Sequence, residues 1–249
     1  MKTVTNPLVC FFDSGIGGLT LLAQCVKKLP RVNFTYFADN YRMPYGNLTR
    51  EQILSYVDEI FQKIQKLEPA AAVVACNTVT AQCIEWLRNK YAFKIIGIQP
   101  AVKPAVSANK RCLVLATPAT VESSALKELI KKTGGNVTVK ACPELAEYVE
   151  KEIFVCSVKD VTNLLPSVKT DSVVLGCTHY SFIKDVIKEF YNCPVFDGNE
   201  GTANHLCEIL GICDHLTPRA QKITFSGGDV TKNRAVFNTL LKQNGNLSQ

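Results

Sequence analysis

Short apolar runs alternate with longer amphipathic stretches along most of the chain. The runs predict strands at Val9–Phe12, Asn33–Ala38, Ala71–Ala75, Lys94–Ile98, Cys112–Ala116, Val137–Lys140, Ser172–Leu175 and Val195–Asp197. Helical spacing covers Gly18–Lys28, Arg50–Leu67, Thr80–Lys90, Ala119–Thr133, Val158–Leu165 and Tyr180–Phe190. Strands separated by helical crossovers predict an α/β fold with mainly parallel sheets flanked by helices.

The pattern repeats. Phe11-Phe12-Asp13-Ser14 and Leu115-Ala116-Thr117-Pro118 are apolar strands that end in a polar turn. Ala38-Asp39 and Ala141-Cys142 close the next strands, and Val73-Val74-Ala75-Cys76-Asn77-Thr78 is echoed by Val174-Leu175-Gly176-Cys177-Thr178-His179. The three landmarks recur in one order at offsets of 104, 103 and 101 residues, which predicts two similar α/β halves. The best boundary lies near Gln99–Pro104, where two prolines fall close together. The tail has its own run, Ile223-Thr-Phe225, followed by an amphipathic stretch to Leu241 that can return to the first half. The expected division is therefore 1–99 plus about 210–249, and 100–209.

Composition narrows the class. With 249 residues and 47% apolar content, the chain can bury a sizeable core. The net charge of +6 is scattered; pairs such as Lys27-Lys28 and Lys131-Lys132 sit on amphipathic helices, so no nucleic-acid partner is expected. A mild positive balance suits an anionic substrate. Met1–Pro7 lacks the apolar core of a signal peptide, and no run approaches the about 18 apolar residues of a spanning helix. A cytoplasmic protein without a membrane partner is expected. The eleven cysteines include no Cys-x-x-Cys, and the three histidines give no zinc-finger spacing, so no metal is expected and most thiols read as small buried side chains.

Cys76 and Cys177 are different, because each ends an apolar run at a matched position of the repeat. In open α/β sheets ligands bind beyond the carboxyl ends of the strands. A helix N-terminus following closely favours thiolate, and Thr78 and Thr178 can cap that helix or donate to a carboxylate. Two such thiols across one crevice suit proton transfer at both faces of one carbon. Asp13-Ser14-Gly15-Ile16-Gly17-Gly18 lies between a strand and a helix; its glycines allow close approach and its amides suit an anion. Asp13 can orient a cysteine, accept its proton or bind an ammonium group. Pro44-Tyr45-Gly46 reads as a turn offering a phenol.

Two rival readings use the same residues. Gly15-x-Gly17 with Asp39 resembles a partial dinucleotide-binding fingerprint, although Thr20 stands where its third glycine belongs. Such a protein would be a non-catalytic nucleotide binder. Cys177 with His179 could make a cysteine hydrolase, but residues so near in sequence rarely form that dyad.

Taken together, Phe12–Gly18, Pro44-Tyr45-Gly46, Ala75-Cys76-Asn77-Thr78, Gly97-Ile98-Gln99-Pro100-Ala101 and Leu175-Gly176-Cys177-Thr178-His179-Tyr180 resemble the glutamate racemases of the aspartate/glutamate racemase superfamily. The resemblance runs from about residue 8 to 200. It implies two pseudo-symmetric domains with the site in the cleft between them, and no cofactor. It implies that Cys76 takes the proton from D-glutamate and Cys177 from L-glutamate, assisted by Asp13 and His179 respectively. It places substrate on Asp13, Ser14, Tyr45, Gly46, Asn77, Thr78, Thr178 and His179, and makes Glu150 a partner for His179. It further implies a homodimer that supplies D-glutamate for peptidoglycan. A racemase of the superfamily acting on aspartate or another amino acid is the near alternative. Two segments depart from the family pattern: Cys142-Pro-Glu-Leu-Ala-Glu-Tyr-Val-Glu150 lacks the usual Phe and Pro, and Asp197-Gly198-Asn199-Glu200-Gly201 replaces an Asp-Ser-Ala-like stretch.

Overall fold

The computed structural model describes residues 6–108, 111–152, 159–212 and 220–245. The first half runs β1 (Leu8–Asp13), α1 (Leu19–Lys28), β2 (Asn33–Ala38), a short 3-10 turn (Tyr45–Asn47), α2 (Arg50–Gln65), β3 (Ala71–Val74), α3 (Asn77–Lys90) and β4 (Lys94–Gly97). The second runs α4 (Val102–Ala108), β5 (Arg111–Ala116), α5 (Pro118–Glu122), α6 (Ser124–Thr133), β6 (Asn136–Ala141), α7 (Pro143–Glu152), α8 (Lys159–Thr162), β7 (Ser172–Gly176), a 3-10 helix (Thr178–Ile183), α9 (Lys184–Tyr191) and β8 (Val195–Phe196). Then come α10 (Asn199–Leu210), β9 (Ile223–Ser226) and α11 (Val230–Gly245).

Two all-parallel sheets result, ordered β4-β3-β1-β2-β9 and β6-β5-β7-β8. Read from the other edge, the second order is β8-β7-β5-β6. It superimposes on β4-β3-β1-β2, so each strand of the first half has its counterpart in the second. The tail strand β9 pairs with β2 and extends the first sheet.

Continuous apolar strands are what sheets covered on both faces require. In β1, Val9 and Phe11 point into one core while Cys10 and Phe12 point into another. β5 divides the same way, with Leu113 and Leu115 on one side and Cys112, Val114 and Ala116 on the other. The core holding Val9 and Phe11 also holds Leu113, Leu115, Tyr180 and Leu206, so it is shared between the sheets. α10 packs on α1 and on β4.

Four boundaries differ from the periodicity. The stretch Ala119–Thr133 is two helices, because Ser123 is extended at ψ 142° and its hydroxyl accepts the Leu126 amide at 3.2 Å as an N-cap. The helix expected from Thr80 begins at Asn77, and the one expected from Tyr180 is preceded by a 3-10 turn that starts at Thr178. The helix expected at Val158–Leu165 is observed only as Lys159–Thr162, Val158 lying outside the described residues.

Candidate active site

The strand order brings four chain ends together. β1 and β3 are neighbours, so Asp13 ends beside Ala75-Cys76; the Ala75 amide donates to Phe12 O at 2.8 Å. β5 and β7 are neighbours in the same way, so Thr117 ends beside Cys177. Cys76, Thr117 and Cys177 line one small cavity with Ser14, Tyr45, Gly46, Thr78 and His179. That cavity has room for roughly one water molecule.

Each thiol meets a different partner. Ser14 Oγ lies 3.6 Å from Cys76 Sγ and 3.5 Å from Asp13 Oδ1. Burial, and then the neighbouring Asp13 carboxylate, push the Cys76 thiol up to about 12. The helix start acts in the expected direction through the Val79 amide, but burial outweighs it, so the expected thiolate-favouring environment is not what Cys76 meets. His179 Nδ1 lies 3.9 Å from Cys177 Sγ, and His179 Nε2 lies 2.8 Å from Glu150 Oε2. Burial works against the imidazolium, but hydrogen bonds and charge from Cys177 and Glu150 prevail and hold His179 well above its ordinary value.

The glycine-rich turn serves the protein's own carboxylates. The Gly15 amide donates to Asp13 Oδ1 at 2.8 Å, and the Ile16 amide to Glu150 Oε2 at 2.9 Å. A Cβ on Gly15 would collide with Glu150 and His179, and one on Gly17 with Thr178 and His179, so these glycines are required by close approach of the second half. These amides are not left for a pyrophosphate. Asp39 accepts the Tyr45 hydroxyl at 2.6 Å and lies 3.6 Å from Arg42. Neither half of the dinucleotide reading finds its ligand groups.

Asp13 and Glu150 are both buried, yet they shift oppositely. Burial raises Asp13 to about 6, against the opposing pull of His179, the Gly15 amide and the Thr178 hydroxyl at 3.0 Å. Burial also acts on Glu150, but His179, the Ile16 amide and Lys232 overcome it and hold it at about 2. Asn40 Nδ2 adds a 2.6 Å bond to Glu150 Oε1.

The remaining candidates divide. Thr78 and Thr178 do not cap helices; Thr78 Oγ1 lies 2.9 Å from Thr117 Oγ1, and Thr178 donates to Asp13. Tyr45 lines the cavity, but its hydroxyl is committed to Asp39. Asn77 is buried with Nδ2 unpartnered, and it lines a separate pocket with Thr80, Ile98, Gln99 and Thr120 rather than this cavity. Sequence reading missed Thr117, Asn40 and Lys232. Thr117 had a signal, because it matches Asp13 in the repeat; the other two had none.

A family model described as Asp/Glu/Hydantoin racemase matches residues 22–206. A glutamate racemase of Campylobacter curvus is 37% identical over 88% of this chain and 88% of its own. One of Campylobacter concisus is 36% identical over 96% and 95%. Among solved structures, glutamate racemase isoform RacE1 from Bacillus anthracis has a TM-score of 0.81 at 29% identity, covering 96% of this chain and 95% of that one. Escherichia coli glutamate racemase, solved with L-glutamate and the activator UDP-MurNAc-ala, has a TM-score of 0.82 at 26% identity, covering 94% and 95%. The family model spans most of the chain and relatives align along nearly its whole length, and the chain belongs to the Asp/Glu/hydantoin racemase family.

Proposed function

We propose that the protein is a cofactor-independent glutamate racemase working by two opposed cysteines. The carrying observation is that Cys76 and Cys177, at corresponding strand ends of the two sheets, line one cavity, each beside its own proton-handling partner. From D-glutamate, Cys76 removes the α-proton and Cys177 returns one to the opposite face. From L-glutamate the roles exchange. Cys76 passes its proton through the Ser14 hydroxyl toward Asp13, and Cys177 exchanges its proton with His179 Nδ1.

The α-proton of an amino acid is a very weak acid and a thiol is a modest base. Donors positioned at the substrate carboxylate must supply much of the difference. Ser14, Tyr45, Gly46, Thr78 and His179 line the cavity and would meet the bound substrate, as would Asp13 and Thr178, which bond to one another, and Asn77, which lines a neighbouring pocket, once the walls part. The cavity is too small for glutamate as it stands, so binding requires the walls to part and then close around the ligand. The walls come from the two units of the reading, 1–99 with about 210–249 and 100–209. The product D-glutamate serves peptidoglycan synthesis, and the enzyme is a cytoplasmic homodimer. No helix among the described residues is long and apolar enough to cross a membrane.

The test is incubation with L-glutamate in deuterated water, without added cofactor. Loss of the α-proton signal together with loss of optical rotation is expected, and neither with aspartate. Exchange with another amino acid only would move the substrate; exchange with none would remove the reading.

A further inference from the structure

α11 reaches the active site twice. Lys232 Nζ, in its first turn, lies 3.2 Å from Glu150 Oε1 and also donates to the Glu150 backbone carbonyl. Asn233 Nδ2, the next residue, donates to Asn40 Oδ1 at 3.0 Å, and Asn40 Nδ2 in turn donates to Glu150 Oε1 at 2.6 Å. One carboxylate oxygen thus carries the lysine and the asparagine, while the other carries the Ile16 amide and His179 Nε2.

The placement of the lysine is informative. A cation in the first turn of a helix faces the positive end of the helix dipole, so it opposes the helix it sits on. Asp229 Oδ1 already accepts the Lys232 amide at 2.9 Å, so the turn has its cap without the ammonium group. What the ammonium group finds is Glu150, 82 residues earlier in the chain. The line from there to the chemistry is short: Glu150 Oε2 fixes His179 Nε2, which leaves Nδ1 as the ring atom facing Cys177 Sγ.

We propose that Lys232 is a positioning residue for proton transfer at Cys177. It holds the Glu150 carboxylate from the tail helix and so keeps His179 Nδ1 turned to the thiol. Lys232 touches neither the thiols nor the cavity lining. The proposal rests on the two-cysteine racemase reading given above.

The equilibrium constant between enantiomers is one, so kcat/KM is equal in both directions whatever is mutated. Comparing kcat/KM in the two directions therefore cannot report the side that is impaired, but a substrate isotope effect can. If transfer at Cys177 is slowed, α-deuterated L-glutamate gives up its deuteron in the slow step and its isotope effect rises. α-Deuterated D-glutamate gives up its deuteron at Cys76, before the slow step, and its isotope effect falls.

The experiment compares full-length wild type, Lys232→Met, Lys232→Arg and His179→Asn with both deuterated enantiomers. For Lys232→Met, kcat is expected to fall about tenfold with KM nearly unchanged, because loosening a proton-transfer partner removes part of the about 100-fold or greater effect of that partner. The isotope effect rises for L and falls for D, and Lys232→Arg restores most of the rate. His179→Asn shows the same asymmetry, more strongly. Wild-type rates in Lys232→Met, or a loss with both isotope effects unchanged, overturn the role of Lys232 while the His179 asymmetry stands. Absence of the asymmetry in His179→Asn overturns the Cys177 reading and the proposal with it.

Discussion

The two sides of the cavity share a frame and differ in what stands behind the thiol. On both, a central strand ends in a cysteine beside the end of its neighbouring strand. On both, a threonine bond crosses between the halves, Thr178 to Asp13 and Thr78 to Thr117. Behind Cys76 stand a hydroxyl and a buried carboxyl group raised to about 6; behind Cys177 stand an imidazole and a carboxylate held at about 2. The repeated frame brings two thiols to one cavity, whereas their partners differ. That fits a reaction whose two substrates are mirror images bound in a site that is not.

The sharpest way to break the comparison is to remove either thiol. Cys76→Ala and Cys177→Ala are each expected to lose about 10⁴-fold or more in kcat/KM in both directions, followed by circular dichroism of glutamate. In the proposed mechanism each direction needs one cysteine as base and the other as acid. Retained racemisation in either variant would leave only one side chemically active.

A smaller effect separates the partners. His179→Asn is expected to lower kcat about 100-fold, and Ser14→Ala about 30-fold, because in the proposed mechanism each relays a proton without being the base itself. In Ser14→Ala the isotope effects should move opposite to those of His179→Asn, up for D-glutamate and down for L-glutamate. Movement in the same sense would show that Ser14 does not serve the Cys76 side.

How much of this was legible follows the range of each interaction. Most strands from β1 to β8 were legible because parallel strands covered on both faces are apolar runs bounded by turns, whereas the edge strand β6 shows as an alternation, Val137 and Val139 packing on the core between exposed neighbours. α4 was hidden by Pro104 within it, and α10 by Asn199, Gly201 and Asn204, weak helix formers that hold together through packing of Ala203 and Leu206 in the shared core. The thiols were legible because the repeat doubles the signal. The anion-site reading of Gly15–Gly18 was half right: the amides do bind anions, but the anions are Asp13 and Glu150. Asn40 and Lys232 left no mark, since nothing local to them points to a carboxylate 110 and 82 residues away.

The smallest expected effect lies in the two carboxyl groups themselves, and it tests whether their environments differ as the bonding says. Glu150 receives a cation, an imidazole, an amide NH and the Asn40 side chain; Asp13 receives an amide and two hydroxyls but no directly bonded cation. Burial therefore wins at Asp13 and loses at Glu150. A carboxyl group whose folded value is raised keeps its proton in the native state where the unfolded chain has released it. Its contribution to stability is fully present below the unfolded value near 3.8 and is lost as pH rises through about 6. For Asp13 this loss amounts to about 2 kcal/mol between roughly pH 4.5 and 7.5. Asp13→Asn has no proton to lose, so its stability relative to wild type should improve by about that amount over the same span, read from urea midpoints at the two pH values. No relative change over that span would mean that Asp13 is held ionised as Glu150 is, and that the two sides of the cavity differ less than their hydrogen bonds indicate.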